Sequence, residues 1–193
     1  MKFTNTLHDT LFKDFIHSTL IESNEDYVGN CLQLRQEDPD GVLLSNHNGW
    51  HSKRFGGDTY TTQCGKEVLD HMVHECDRYV RSFCLNEFRY SSRMREWWVN
   101  IGSGGSYNDP HTHGRATLIG IIFIQVPEGS GDLVLSRNDG SIYSSLYHRT
   151  EKGMSFQITP EVNRFYVLPG HLWHWVDRHM GFEDRISISI NYH

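Results

Sequence analysis

One segment restricts the fold more than any other. Arg185-Ile186-Ser187-Ile188-Ser189-Ile190-Asn191 alternates apolar and polar residues without a break. Neighbouring side chains of a strand point to opposite faces, so Ile186, Ile188 and Ile190 pack together on one side. Arg185, Ser187, Ser189 and Asn191 share the other side. Eleven residues before Arg185 lies His174, within Leu168-Pro169-Gly170-His171-Leu172-Trp173-His174-Trp175-Val176. Far upstream stands His111-Thr112-His113. A late strand bearing an arginine and a serine, beside convergent histidines, points to a metal centre with a carboxylate-bearing ligand next to it.

The rest of the chain fits that frame. At 193 residues a single domain, 1–193, is the simplest organisation, with enough length for a substantial core. The net charge of -6, without a Lys/Arg cluster, argues against nucleic acid or an anionic membrane as partner. No apolar run is long enough to span a bilayer, and the N-terminus lacks the apolar stretch of a signal peptide, so a cytoplasmic location is expected. The cysteines Cys31, Cys64, Cys76 and Cys84 form no CxxC pair and read as reduced thiols. The sequence leaves room for a homodimer and does not specify one.

Residues 1–87 read as a mainly helical flank. Helices are expected over about Asp9–Ser23, from near Asn24 to the Asp38-Pro39-Asp40-Gly41 turn, and over Gly65–Leu85. Val42-Leu43-Leu44 is a short strand candidate, followed by a polar loop over Ser45–Ser52. Residues 88–193 read as the β core. Strands are expected at Arg95–Ile101, Ala116–Val126, Asp132–Ser136, Ile142–Tyr147, Met154–Ile158, Phe165–Leu168 and Arg185–Tyr192, and Gly104–Pro110 is read as a loop delivering the chain to His111. The expected class is α+β: a double-stranded β-helix, jelly-roll or cupin-like, with the N-terminal helices packed on one sheet.

In a strand, His111 and His113 aim at one face and can share an ion. A third ligand from a later strand completes a facial set; His174 is preferred to His171 by its spacing to Arg185. Imidazoles alone do not choose among iron, zinc, copper and nickel. Asp109 is a rival ligand, although Pro110 disfavours regular pairing there. His71-Met72-Val73-His74-Glu75 has the wrong order and spacing for a zinc-protease helix and reads as outer helix surface. Arg185 has no acid on its own strand face, so a ligand carboxylate can pair with it, with the Ser187 hydroxyl as a further donor.

Together these residues resemble the iron(II)- and 2-oxoglutarate-dependent oxygenases: His111-Thr112-His113, then His174, then Arg185-Ile186-Ser187. More narrowly, the chain resembles the members carrying an HxH after a W-x-N segment, here Trp98-Val99-Asn100, with Ser45-Asn46-His47-Asn48-Gly49-Trp50-His51-Ser52 upstream. The resemblance implies Fe(II) held by His111, His113 and His174. It also implies 2-oxoglutarate held by Arg185 and Ser187, with Asn100 and Asn191 counted in the same co-substrate-binding set. O2 would be the second co-substrate, and an unidentified substrate would be hydroxylated at a C–H bond as 2-oxoglutarate is decarboxylated to succinate. Trp50, His51 and Tyr107 are candidate substrate contacts. His113 stands where a carboxylate is usual, leaving the metal one unit more positive. The alternatives are a cupin-like three-histidine protein acting without 2-oxoglutarate (a dioxygenase or an isomerase) and a non-catalytic ligand-binding module.

Overall fold

The computed structural model describes residues 16–21, 26–56, 66–83, 94–136 and 155–193. Along the chain lie β1 (His17–Leu20), α1 (Tyr27–Glu37), β2 (Asn46–His51), β3 (Phe55–Gly56), α2 (Lys66–Phe83), β4 (Met94–His111), β5 (Leu118–Gln125), β6 (Leu133–Ser136), β7 (Ser155–Ile158), β8 (Arg164–Pro169), β9 (Trp173–Val176) and β10 (Arg185–Tyr192). The strands run in the order β1-β8-β5-β10-β4-β9-β6-β7, and β2 and β3 also pair with β4. Every pairing is antiparallel. The architecture is the α+β double-stranded β-helix expected from sequence.

β4 joins the two halves. Its first part pairs with β10, from Met94↔Tyr192 to Gly102↔Arg185. Its last part pairs with β9 through Asn108↔Val176 and His111↔His174. The segment 104–110, expected as a loop, is therefore strand. Gly and polar residues hide its extended backbone from a reading based on side-chain pattern, and its partners come from β2 and β9.

The alternation in β10 has the predicted consequence, except that neither face is open to water. All eight residues are buried. Ile186, Ile188 and Ile190 enter the main core with Val68, Leu69, Met72 and Cys76 of α2 and Cys31 and Leu34 of α1. Burying each isoleucine contributes about 2 kcal/mol. The helices thus cover one sheet face, and the polar side of β10 is left facing the interior of the barrel.

Both described helices follow their sequence signals. Asp26 caps α1 by accepting from the Gly29 N–H at 2.9 Å, and the helix stops ahead of Pro39. α2 buries Val68, Leu69, Met72, Cys76 and Tyr79 on one stripe, while His71 and His74 lie exposed as expected. Cys31 and Cys76 are buried thiols, and burial pushes the Cys76 thiol well up. No described helix is long and apolar enough to cross a membrane.

Two further expectations fail. Residues 17–20, assigned to a first helix, form a strand against β8, from His17↔Val167 to Leu20↔Arg164. A free edge of the barrel captured a segment whose apolar spacing also suits a helix. Val42-Leu43-Leu44 is not a strand: Leu43 is 80% exposed. The strand is the polar stretch just after it, β2. The Asn46 side chain accepts from the Leu44 N–H at 2.8 Å and donates to the Val42 and Gly49 carbonyls, fixing the bend that precedes the strand. The expected strand Ile142–Tyr147, most of Asp9–Ser23, Cys64 and Cys84 lie outside the described residues.

Candidate metal centre and co-substrate cavity

His111 closes β4 and stands opposite His174 in β9. His113 is not in the strand, as expected from its i, i+2 spacing, but two residues beyond its end. A turn places it: its N–H donates to the Gly170 carbonyl at 2.9 Å and its own carbonyl accepts from Ala116 at 2.8 Å. Gly170 is required there, since a Cβ would meet the Ala116 oxygen at 2.0 Å and the His113 oxygen at 3.1 Å. The three histidines each offer a ring nitrogen, and these atoms lie within 4.8 Å of one another. Ring centroids are 4.3 to 5.1 Å apart.

The other ring nitrogen of each histidine is already engaged. Nδ1 of His111 lies 2.7 Å from the Asp109 carbonyl, Nδ1 of His174 lies 3.1 Å from the Leu172 carbonyl, and Nδ1 of His113 lies 2.5 Å from Asn191 Oδ1. Each acceptor fixes a proton on Nδ1, which leaves the lone pair on Nε2. Burial holds all three rings below the ordinary imidazole range. His113 falls to about 4 and His174 to about 3, and neighbouring His111 lowers both further. Neutral rings with convergent lone pairs are the form that binds a cation.

Asp109 is not part of this group among the described residues. Its carboxylate turns outward to His47 Nε2 at 2.5 Å, and only its backbone carbonyl serves the centre, by holding His111. His171 is exposed on the turn before β9.

A cavity of about 530 Å³ opens beside the histidines. Arg185, Ser187 and Ser189 line it from β10, and Asn100 and Ser106 line it from β4. Arg185 is 6% exposed and donates to the carbonyls of Ser130 and, at 3.2 Å, Asp177. It forms no ion pair with Asp184, which pairs with Arg35 at 2.9 Å. Burial lowers the guanidinium to about 10, still fully charged at neutral pH. Among the described residues, no aspartate or glutamate lines the cavity. Among the described residues no carboxylate forms an ion pair with Arg185, although Asp177 favours its charged form; a buried cation in such a cavity suits an anionic ligand.

Ser106 is a site residue that the sequence reading missed. It is 2% exposed and its Oγ has no hydrogen-bond partner among the described residues. A Cβ on Gly102 would lie 2.4 Å from that oxygen and 3.4 Å from an Arg185 terminal nitrogen, so Gly102 keeps a corner open between them. Asn100 Oδ1 is likewise buried and unpartnered. Asn191, counted among co-substrate contacts, is not a cavity-lining residue: it stands behind His113. A short polar residue on the cavity side of β10 says nothing of whether it reaches the lumen or a neighbouring ring.

Of the expected substrate contacts, Trp50 is a core anchor that also touches the cavity, its Nε1 donating to the Asp38 carbonyl at 2.7 Å. His51 is buried, stacked on Trp98 and bonded to the Ser52 carbonyl. Tyr107 stacks on His47 with centroids 4.6 Å apart, and the Arg178 guanidinium covers its ring. Trp50, His51 and Tyr107 all line the cavity.

Comparison with known proteins agrees with this geometry. Residues 96–191 match the family described as "Putative 2OG-Fe(II) oxygenase". No curated protein sequence matches. In solved structures the fold resembles a Pseudomonas putida prolyl-4-hydroxylase (TM-score 0.59, 12% identity, 92% of this chain and 91% of that one). It also resembles a viral collagen prolyl hydroxylase from Paramecium Bursaria Chlorella virus-1, solved with 2OG (TM-score 0.55, 11% identity, 92% and 94%). A third similar fold is a Trichoplax adhaerens prolyl hydroxylase in complex with a hypoxia inducible factor peptide (TM-score 0.55, 13% identity, 92% and 82%). Its segment 96–191 thus resembles the 2-oxoglutarate- and Fe(II)-dependent oxygenases, as the residue pattern led one to expect.

Proposed function

We propose that the protein hydroxylates a C–H bond of its substrate. In this reading His111, His113 and His174 hold Fe(II), and Arg185, Ser187 and Ser106 hold the far carboxylate of 2-oxoglutarate. The observation that carries it is the pairing, in one cavity, of three imidazoles whose ring nitrogens gather within 4.8 Å of one another and a buried arginine that forms no ion pair among the described residues. When bound, Fe(II) and 2-oxoglutarate supply the activation of O2 that yields succinate, CO2 and a hydroxylated product.

The protein's own part is positional. The carbonyls of Asp109 and Leu172 and the amide of Asn191 lock the imidazole tautomers and ring planes. Arg185, fixed by two backbone carbonyls, orients a dicarboxylate with its other nitrogens. Ile119, Ile121 and Phe123 form an apolar wall that keeps water from the reacting centre. The substrate enters past His47, His51, Trp98 and Tyr107. We place the whole activity in one domain, 1–193.

A three-histidine protein acting without 2-oxoglutarate would not need a buried arginine beside Ser106 and Ser187 in the metal cavity, and their presence there favours the oxygenase reading. The test is an anaerobic titration with Fe(II) and 2-oxoglutarate. A visible charge-transfer band that needs both components is expected; its absence with metal bound overturns the reading.

A further inference from the structure

The three histidines are not supported alike. His111 and His174 lean on neutral backbone carbonyls. His113 leans on a side chain, and that side chain leads to a charge. Asn191 Oδ1 accepts from His113 at 2.5 Å, and Asn191 Nδ2 donates to Glu96 Oε1 at 2.6 Å. The same Glu96 oxygen accepts from Arg54 at 2.9 Å. Glu96 and Asn191 are register partners across β4 and β10, so the backbone fixes the middle of the chain. Asn191 is 5% exposed. Arg54, which lies over the Trp98 ring, closes the outer end at the cavity mouth.

An amide bonded at both ends passes polarisation along its length. A carboxylate accepting from its NH2 makes its carbonyl oxygen a stronger acceptor, and that raises the electron density of the imidazole whose N–H it holds. We propose that Glu96, acting through Asn191, is a positioning residue for the metal centre, making His113 a stronger electron donor than His111 or His174 even though Arg54 pairs with the same carboxylate. The proposal rests on His113 being a metal ligand.

The test is a metal-affinity cycle with Co(II) as probe on the full chain. Glu96→Gln keeps the shape and an acceptor oxygen and removes the charge. It is expected to weaken Co(II) binding about 10-fold, within the range of outer-shell partners. His113→Asp has no Nδ1 proton to give Asn191, so in that background Glu96→Gln should change Co(II) affinity less than about 2-fold, because the coupling is lost. Thermal unfolding provides the second readout. The metal-free Glu96→Gln protein should melt close to the parent, and its Co(II)-induced shift should shrink. Equal effects of Glu96→Gln in both backgrounds, or a lower metal-free melting point with unchanged affinity, would make Glu96 a strand-pairing residue only and overturn the proposal. The ligand reading is tested separately: undiminished Co(II) affinity in His113→Ala would remove its foundation, whereas lost affinity there with a silent Glu96→Gln defeats the relay alone.

Discussion

His111 and His174 face each other across the β4–β9 pair with ring centroids 4.3 Å apart. Two strands distant in sequence thus bring two imidazoles to one point, and the turn after β4 adds His113. On the proposed reading, removing His174 takes away a ligand that exposed His171 cannot replace. His174→Ala is expected to weaken Fe(II) binding by more than about 100-fold, since outer-shell partners alone account for about 10–100-fold. Anaerobic metal titration checks this, and stoichiometric iron retained at micromolar protein would reject the ligand assignment.

On the same proposed reading, Arg185 serves both ligand and fold. Arg185→Met keeps much of the volume and removes the charge. The 2-oxoglutarate dissociation constant should rise by about 100-fold, equivalent to about 3 kcal/mol for a buried charge-assisted contact. Fe(II) binding should persist. The Ser130 and Asp177 carbonyls lose their donor, which costs about 1–3 kcal/mol of stability. Calorimetric titration with denaturant unfolding separates the two effects; unchanged 2-oxoglutarate affinity would move the anion site elsewhere.

Gly102 guards the same corner. Gly102→Ala sets a methyl 2.4 Å from Ser106 Oγ, an overlap expected to cost about 1–3 kcal/mol and to weaken 2-oxoglutarate binding. Adding Ser106→Ala removes the clashing atom and should restore most of the stability. Because the Ser106 hydroxyl is read as a donor to the co-substrate, affinity should stay below the parent's. Full recovery of affinity in the double variant would remove Ser106 from the site.

The metal-free protein should lose stability in mild acid. The folded pKa values of His113 and His174 are depressed to about 4 and about 3, against an ordinary value of 6.5. Below 6.5 the unfolded chain takes up protons that the folded rings refuse. Stability is therefore retained above 6.5 and falls as pH drops toward 4, by up to about 1.4 kcal/mol per pH unit for each ring. Chemical denaturation in chelator from pH 7 to 4 measures the slope. Bound metal should lower the midpoint of acid unfolding, because ligation competes with protons for the same Nε2 atoms. A flat metal-free profile would show that the rings take up protons in the fold.

Much of this was legible in the chain. The alternation of β10 is a local property, so it fixed which residues face the helices and which face the lumen before any partner was known. The helices α1 and α2 followed from apolar spacing and the Asp38-Pro39-Asp40-Gly41 turn, and His111, His113, His174, Arg185 and Ser187 from residue chemistry at recognisable positions. β1 and β2 were not legible, since one segment carries helix-like spacing and the other is polar; both are strands because an edge of the barrel supplied their hydrogen bonds.

Local pattern determines the direction in which a side chain leaves the backbone, and for this protein that already separated core from cavity. Only the tertiary structure decided what each polar side chain meets. It turned Asp109 outward to His47, set Asn191 behind His113 with Glu96 at its back, and left Ser106 unpartnered beside Arg185. Those outcomes depend on strand register and on a turn held by Gly170, which join residues far apart in the chain.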